Sequence, residues 1–185
     1  MNHFIDVYPG LGEDECNQLI TLFESDTLRQ NDGGTVSGVD KELKASTDIL
    51  CNFNSPSFEQ YNDIILPVLL RGKDRYVNEH PALSNIPEWK LDSPYRIQRY
   101  KDGEGYFAIH CEQTSYRPYR MLAWTLYLND AECGTYYTEY NATVEARKGN
   151  LCIFPTSWTH MHCGVTPNKG IKYIATGWWS YVRME

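Results

Sequence analysis

The chain has six cysteines but no Cys-x-x-Cys pair, so the close thiol spacing of the common zinc modules is missing. No run of Lys or Arg exceeds two residues, and 17 basic residues stand against 24 acidic ones, a net charge of −7. Nothing here supplies the electrostatic footprint of a nucleic-acid binder. No stretch of about 18 apolar residues occurs, so no membrane span is expected. The opening Met-Asn-His-Phe-Ile-Asp-Val-Tyr lacks the basic start and apolar core of a signal peptide. A cytoplasmic protein with reduced thiols is the expectation. What is abundant is aromatic: 5 Trp, 14 Tyr and 6 Phe, 14% of the sequence. Such side chains suit a pleated β core, and tyrosines carry hydroxyls into polar-tipped cavities.

A length of 185 residues with 42% hydrophobic and 22% charged residues argues for one globular domain, 1–185. Cys16, Leu19, Ile20 and Phe23 recur at helical spacing behind an acidic start, which predicts a helix over 12–24. Residues 30–42 are Gly-rich and read as a loop. Ser55-Pro56 marks a second helix start, and helical spacing continues to about residue 79, with Pro67 expected to kink or interrupt it. From about residue 93 the pattern changes to short strands with turn signals between them: 95–100, 106–112, 122–128, 151–154 and 172–179. The division is then a helical supporting region over 1–92 and a β core over 93–185. The fold class is mainly β, a sandwich or jelly roll with the amino-terminal helices packed outside.

Three of the five histidines, His110, His160 and His162, fall in the strand-rich half. In His110-Cys-Glu112 an imidazole and a carboxylate are two apart, and on a strand both would face one way. With His160 or His162 as a third ligand, two His and one carboxylate would leave open coordination positions, a set suited to Fe(II). Taken alone His-x-Glu is a weak signal. A structural zinc site using Cys111 and Cys163 fits less well, since Cys111 would face away from His110. Trp178-Trp179 reads as core or sheet edge.

The surrounding motifs add to this. Arg99-Tyr100 through Gly105-Tyr106 to His110-Cys-Glu112 resembles the "RY..G..Y..H-x-D" segment of the iron(II)/2-oxoglutarate dioxygenases of prolyl 4-hydroxylase type. Leu126-Tyr127-Leu-Asn-Asp130 resembles that family's "YLND" strand, and Gly149 to Pro155 is similar to its "G.lliFP". His162-Cys-Gly164 through Pro167, Gly170 and Lys172 to Thr176 and Trp178 resembles "H.G..P..G.K...T.W". The four elements occur in order over residues 95–179.

The resemblance implies a double-stranded β-helix, or jelly roll, with iron held by His110, Glu112 and His162. The spacing of His162 to Gly170 and Lys172 follows the family pattern better than that of His160. Lys172 would pair with the distal carboxylate of 2-oxoglutarate, with Tyr127, Thr176 and Tyr100 as further cofactor contacts. O2 would be the co-substrate, ascorbate is a candidate accessory reductant, and the substrate would be a peptide, a protein or a small molecule. Two departures stand out. Glu112 replaces the Asp of most relatives, although viral-type members resemble this chain in carrying His-x-Glu. Gly134 to Tyr140 lacks the family's Gly-Gly pair, so specificity is least transferable there. The competing reading is a non-catalytic jelly-roll module that keeps the fold.

Overall fold

The computed structural model describes residues 3–35, 37–167 and 169–182. Its strands are β1 (Asp6–Pro9), β2 (Asn31–Asp32), β3 (Lys44–Ala45), β4 (Thr47–Cys51), β5 (Trp89–Leu91), β6 (Tyr95–Tyr100), β7 (Gly105–Tyr106) and β8 (Arg120–Tyr127). After these come β9 (Ala131–Tyr137), β10 (Ala142–Ala146), β11 (Asn150–Pro155), β12 (His162–Gly164) and β13 (Lys172–Tyr181). Two helices, α1 (Glu13–Ser25) and α2 (Glu59–Glu79), precede the strand-rich half. The large sheet runs β1-β11-β8-β13-β6-β4-β2, with β5 also paired to β13. A three-stranded sheet, β10-β9-β12, and the β3-β7 pair complete the second wall of a jelly roll.

Strand alternation decides what each wall presents. Along β8, Leu122, Trp124 and Leu126 are buried in the core shared with the helices, while Ala123 and Tyr127 belong to the core between the walls. In β11, Leu151 and Ile153 likewise face the helices, and Cys152 and Phe154 face inward. The period of two is the pleat itself. On the outer side the sheet is covered by Leu19 and Phe23 of α1 and by Tyr61, Ile65, Val68, Leu69 and Tyr76 of α2. The acidic first turn of α1 complements its amino-terminal dipole, and Glu15 Oε2 accepts the Gly12 N–H at 2.8 Å.

Three expectations need correction. Helix α2 is continuous through Pro67. One missing N–H is tolerated where Ile65, Val68 and Leu69 are packed on the sheet. The predicted strand 106–112 is mostly irregular: only Gly105–Tyr106 is a strand, and beyond it His110 makes a single antiparallel bridge to His162. The region before residue 93 contains β1 to β5 as well as helices. Its strands are too short or too irregular to show a period of two.

Candidate active site

Between the walls lies a cavity of about 290 Å³. The alternation in the large sheet fixes much of its lining: Arg96, Gln98 and Tyr100 from β6, Thr125 and Tyr127 from β8, and Lys172, Ile174, Thr176 and Trp178 from β13. Residues of the opposite wall, including Tyr106, Thr135 and His162, close it. All seven residues named from the sequence as iron or 2-oxoglutarate contacts border this one space.

His110 and His162 are brought together by backbone pairing. The His110 N–H donates to the His162 carbonyl at 2.9 Å and the His162 N–H to the His110 carbonyl at 2.8 Å. Glu112 is held by its own N–H on the Thr156 carbonyl at 3.1 Å. Backbone bonds to β12 and to Thr156, rather than a regular strand, therefore put His110 and Glu112 in place. One ligand atom from each of His110, Glu112 and His162 lies within 4.8 Å of the others.

The imidazole orientations are set from behind. His110 Nδ1 sits 2.9 Å from the Ala108 carbonyl and His162 Nδ1 2.8 Å from the His160 carbonyl. A carbonyl only accepts, so each Nδ1 carries the proton and each Nε2 presents a lone pair. Both Nε2 atoms are 3.5 Å from Glu112 Oε1. Two lone pairs and an anionic oxygen converging inside a protein repel one another unless a cation sits between them, so this donor set fits a divalent metal. The second carboxylate oxygen is occupied: Trp178 Nε1 donates to Glu112 Oε2 at 2.8 Å and Arg120 Nη1 at 3.2 Å. Tyr106 stacks on the His110 ring at 3.8 Å between centroids.

His160 is buried but turned elsewhere. Its Nε2 donates to the His3 carbonyl at 2.8 Å and its Nδ1 accepts from Thr159 Oγ1 at 2.9 Å. It takes no part in the three-residue cluster.

At the other end of the cavity Lys172 is 3% exposed, and among the described residues its Nζ donates to two carbonyls, Val165 at 3.0 Å and Gly134 at 3.5 Å. It lies 4.8 Å from the centre of the Tyr100 ring. Burial lowers its pKa, and among the described residues no carboxylate pairs with it. A buried ammonium without a counter-ion, facing a cavity, fits the carboxylate of a bound acid. Tyr127 Oη and Thr135 Oγ1 are 2.9 Å apart beside it, Thr176 Oγ1 donates to the Trp124 carbonyl at 2.9 Å, and Tyr100 Oη donates to Gln98 Oε1 at 2.9 Å.

Sequence reading missed Arg120, Trp178 and Thr135 as site residues. Trp179 is indeed core at 1% exposure, whereas Trp178 turns to the cavity. Its position two after Thr176 and six after Lys172 places it on their face, a signal the alternation contained.

The family model described as the 2OG-Fe(II) oxygenase superfamily matches residues 95–180. No curated protein matches the sequence. Among solved structures, a Pseudomonas putida prolyl-4-hydroxylase superposes with a TM-score of 0.73 at 17% identity, covering 97% of this chain and 94% of that one. A viral collagen prolyl hydroxylase from Paramecium Bursaria Chlorella virus-1, in a 2OG complex, gives 0.69 at 17% identity and covers 97% of both chains. A Trichoplax adhaerens prolyl hydroxylase, in complex with a peptide fragment of the hypoxia inducible factor oxygen degradation domain, gives 0.70 at 16%, covering 97% and 84%. These likenesses show the fold. Residues 95–180, the part of the chain similar to the 2OG-Fe(II) oxygenase superfamily, carry the His–Glu–His cluster and most of the cavity.

Proposed function

We propose that the protein hydroxylates a C–H bond of a prolyl residue in a peptide or protein, using Fe(II), 2-oxoglutarate and O2. The observation that carries this reading is the pairing, within one cavity, of a converging His110–Glu112–His162 donor set with the buried, counter-ion-free Lys172. Bound there, iron and 2-oxoglutarate would supply the oxidising chemistry: O2 is consumed, 2-oxoglutarate becomes succinate and CO2, and one oxygen atom enters the substrate.

The residues have separable tasks. His110 and His162 present Nε2, each held by its Nδ1–H bond. Glu112 offers Oε1 while Arg120 and Trp178 hold Oε2, which fixes the carboxylate despite its extra methylene. Lys172 receives the distal carboxylate of 2-oxoglutarate, with Tyr127, Thr176 and Tyr100 around it. Desolvation of the ammonium favours a partner anion that water would otherwise screen. The prolyl assignment draws on the likeness to prolyl hydroxylases and on the peptide-bound state of one of them.

The test is a turnover screen against proline-containing peptides, read by succinate release and by a mass gain of one oxygen located on proline. Iron-dependent hydroxylation of proline is the expected result. Hydroxylation at another residue type, with proline untouched, would contradict the prolyl assignment while keeping the oxygenase.

A further inference from the structure

The protein carries seven more acidic than basic charges, yet its cavity has the opposite balance. Lys44, Arg96, Arg117, Arg120 and Lys172 line it against the single carboxylate of Glu112. Three of the five cations are already engaged. Lys44 Nζ bonds Asp48 Oδ2 at 2.7 Å, and Arg120 bonds Glu112 and lies over the Trp178 ring at 3.3 Å. Lys172 is assigned above to 2-oxoglutarate. Arg96 and Arg117 are left.

Asp48 does not satisfy Arg96. Its Oδ1 accepts from Ser46 at 2.7 Å, and its Oδ2 accepts from Lys44 and, at 3.1 Å, from Gln98. Arg96 Nη1 stands off Oδ2 at 3.6 Å, outside hydrogen-bond reach. Arg117 Nη1 donates only to the neighbouring Tyr116 carbonyl at 3.1 Å, and among the described residues no carboxylate pairs with it. Both guanidiniums border the same cavity as Arg120. The ladder fixes where Arg96 sits: Lys172 pairs with Tyr100 at one end of the β6–β13 register, and Thr176 pairs with Arg96 four residues along, a separation of about 13 Å at the backbone. Arg96 thus belongs to the end of the wall away from Lys172, towards Trp178 and Arg120.

We propose that Arg96 and Arg117 form a carboxylate subsite for the substrate. The group they bind is the side chain of an acidic residue beside the reacting proline or the free carboxyl terminus of a short peptide. A guanidinium pair matches the two oxygens of a carboxylate, and such pairs govern which partner is accepted. The proposal rests on the cavity being the oxygenase site described above.

Its test is a binding measurement. The Mn(II)-substituted protein, saturated with the 2-oxoglutarate mimic N-oxalylglycine, is titrated calorimetrically with two matched pairs of peptides. One pair is acetyl-Asp-Pro-Gly-amide and its Asn counterpart; the other is acetyl-Gly-Pro as free acid and as amide. In at least one pair the acid should bind about tenfold tighter or more, and which pair does so identifies the source of the carboxylate. The gap should fall below about twofold in the Arg96→Gln/Arg117→Gln protein and persist in Arg147→Gln, a surface control paired with Glu145. Equal binding of acid and neutral peptides, or a gap that survives the double substitution, overturns the proposal. If no peptide binds, the prolyl reading is at fault. The subsite is then read from N-acetylglycine against its amide, where the same gap upholds it and no gap overturns it.

Discussion

Glu112 divides its two oxygens between different tasks: Oε1 faces the two imidazoles at 3.5 Å, and Oε2 is tied to Trp178 and Arg120. Trp178→Phe keeps an aromatic ring against Arg120 but removes the Nε1–H donor together with one ring of the indole. It should weaken metal affinity about 10- to 100-fold, as losses behind a metal ligand do, measured by chelator competition, and lower the melting temperature of the metal-free protein modestly through the lost packing. Unchanged affinity would mean that Arg120 alone fixes the carboxylate. The two candidate histidines separate in the same assay. His162→Ala should abolish iron binding. His160→Ala should retain it and lower stability instead, because a buried ring bonded to Thr159 and His3 leaves partners unsatisfied. At this scale the motif spacing was enough to prefer His162 over His160. It could not show that Trp178 and Arg120 converge on Glu112, since those contacts join strands 66 and 8 residues away in sequence.

Among the elements, β6, β8, β11 and β13 were readable because each keeps the period of two, and that period divides helix-facing residues from cavity-facing ones. The weave of 107–112 was not readable: its backbone bonds go to His162 and Thr156 rather than to a neighbouring regular strand. Strand β9 was hidden for another reason, since Gly134 to Tyr137 mixes glycine, threonine and tyrosine without alternation. Helix α1 is fastened to the sheet through Glu24, whose carboxylate accepts from Arg99 at 2.8 Å and from Tyr173 Oη at 2.8 Å. Burial opposes the Glu24 charge, but Arg99 and Tyr173 together hold its pKa below the ordinary 4.5. A carboxyl depressed on folding stabilises above its unfolded value and loses that contribution as pH falls through the folded one. Glu24→Gln should therefore lower the melting temperature at pH 7, and the difference from the unaltered protein should shrink below about pH 4. A difference that stays constant down to pH 2 would contradict this account of the α1 anchor.

Over the whole molecule, an acidic chain gathers five cations along one cavity between two walls, beside the convergent His110, Glu112 and His162 side chains. Ordered motifs over 95–179 were sufficient to expect the jelly roll and the family. The positive lining was invisible in them, because Lys44, Arg96, Arg117 and Arg120 are scattered in sequence and meet only through the sheet topology. Among the described residues no helix is long and apolar enough to cross a membrane.

The central claim is that His110, Glu112 and His162 hold Fe(II) while Lys172 anchors 2-oxoglutarate beside it. Anaerobic titration of the metal-free protein with Fe(II) and then 2-oxoglutarate tests it most directly, read by the weak visible absorption of the chelated complex. The account predicts that the band forms with the unaltered protein, is absent with His162→Ala, and in Lys172→Ala needs at least about tenfold more 2-oxoglutarate, the scale of a lost charge-assisted bond. A band of undiminished strength and affinity in His162→Ala or Lys172→Ala would contradict it.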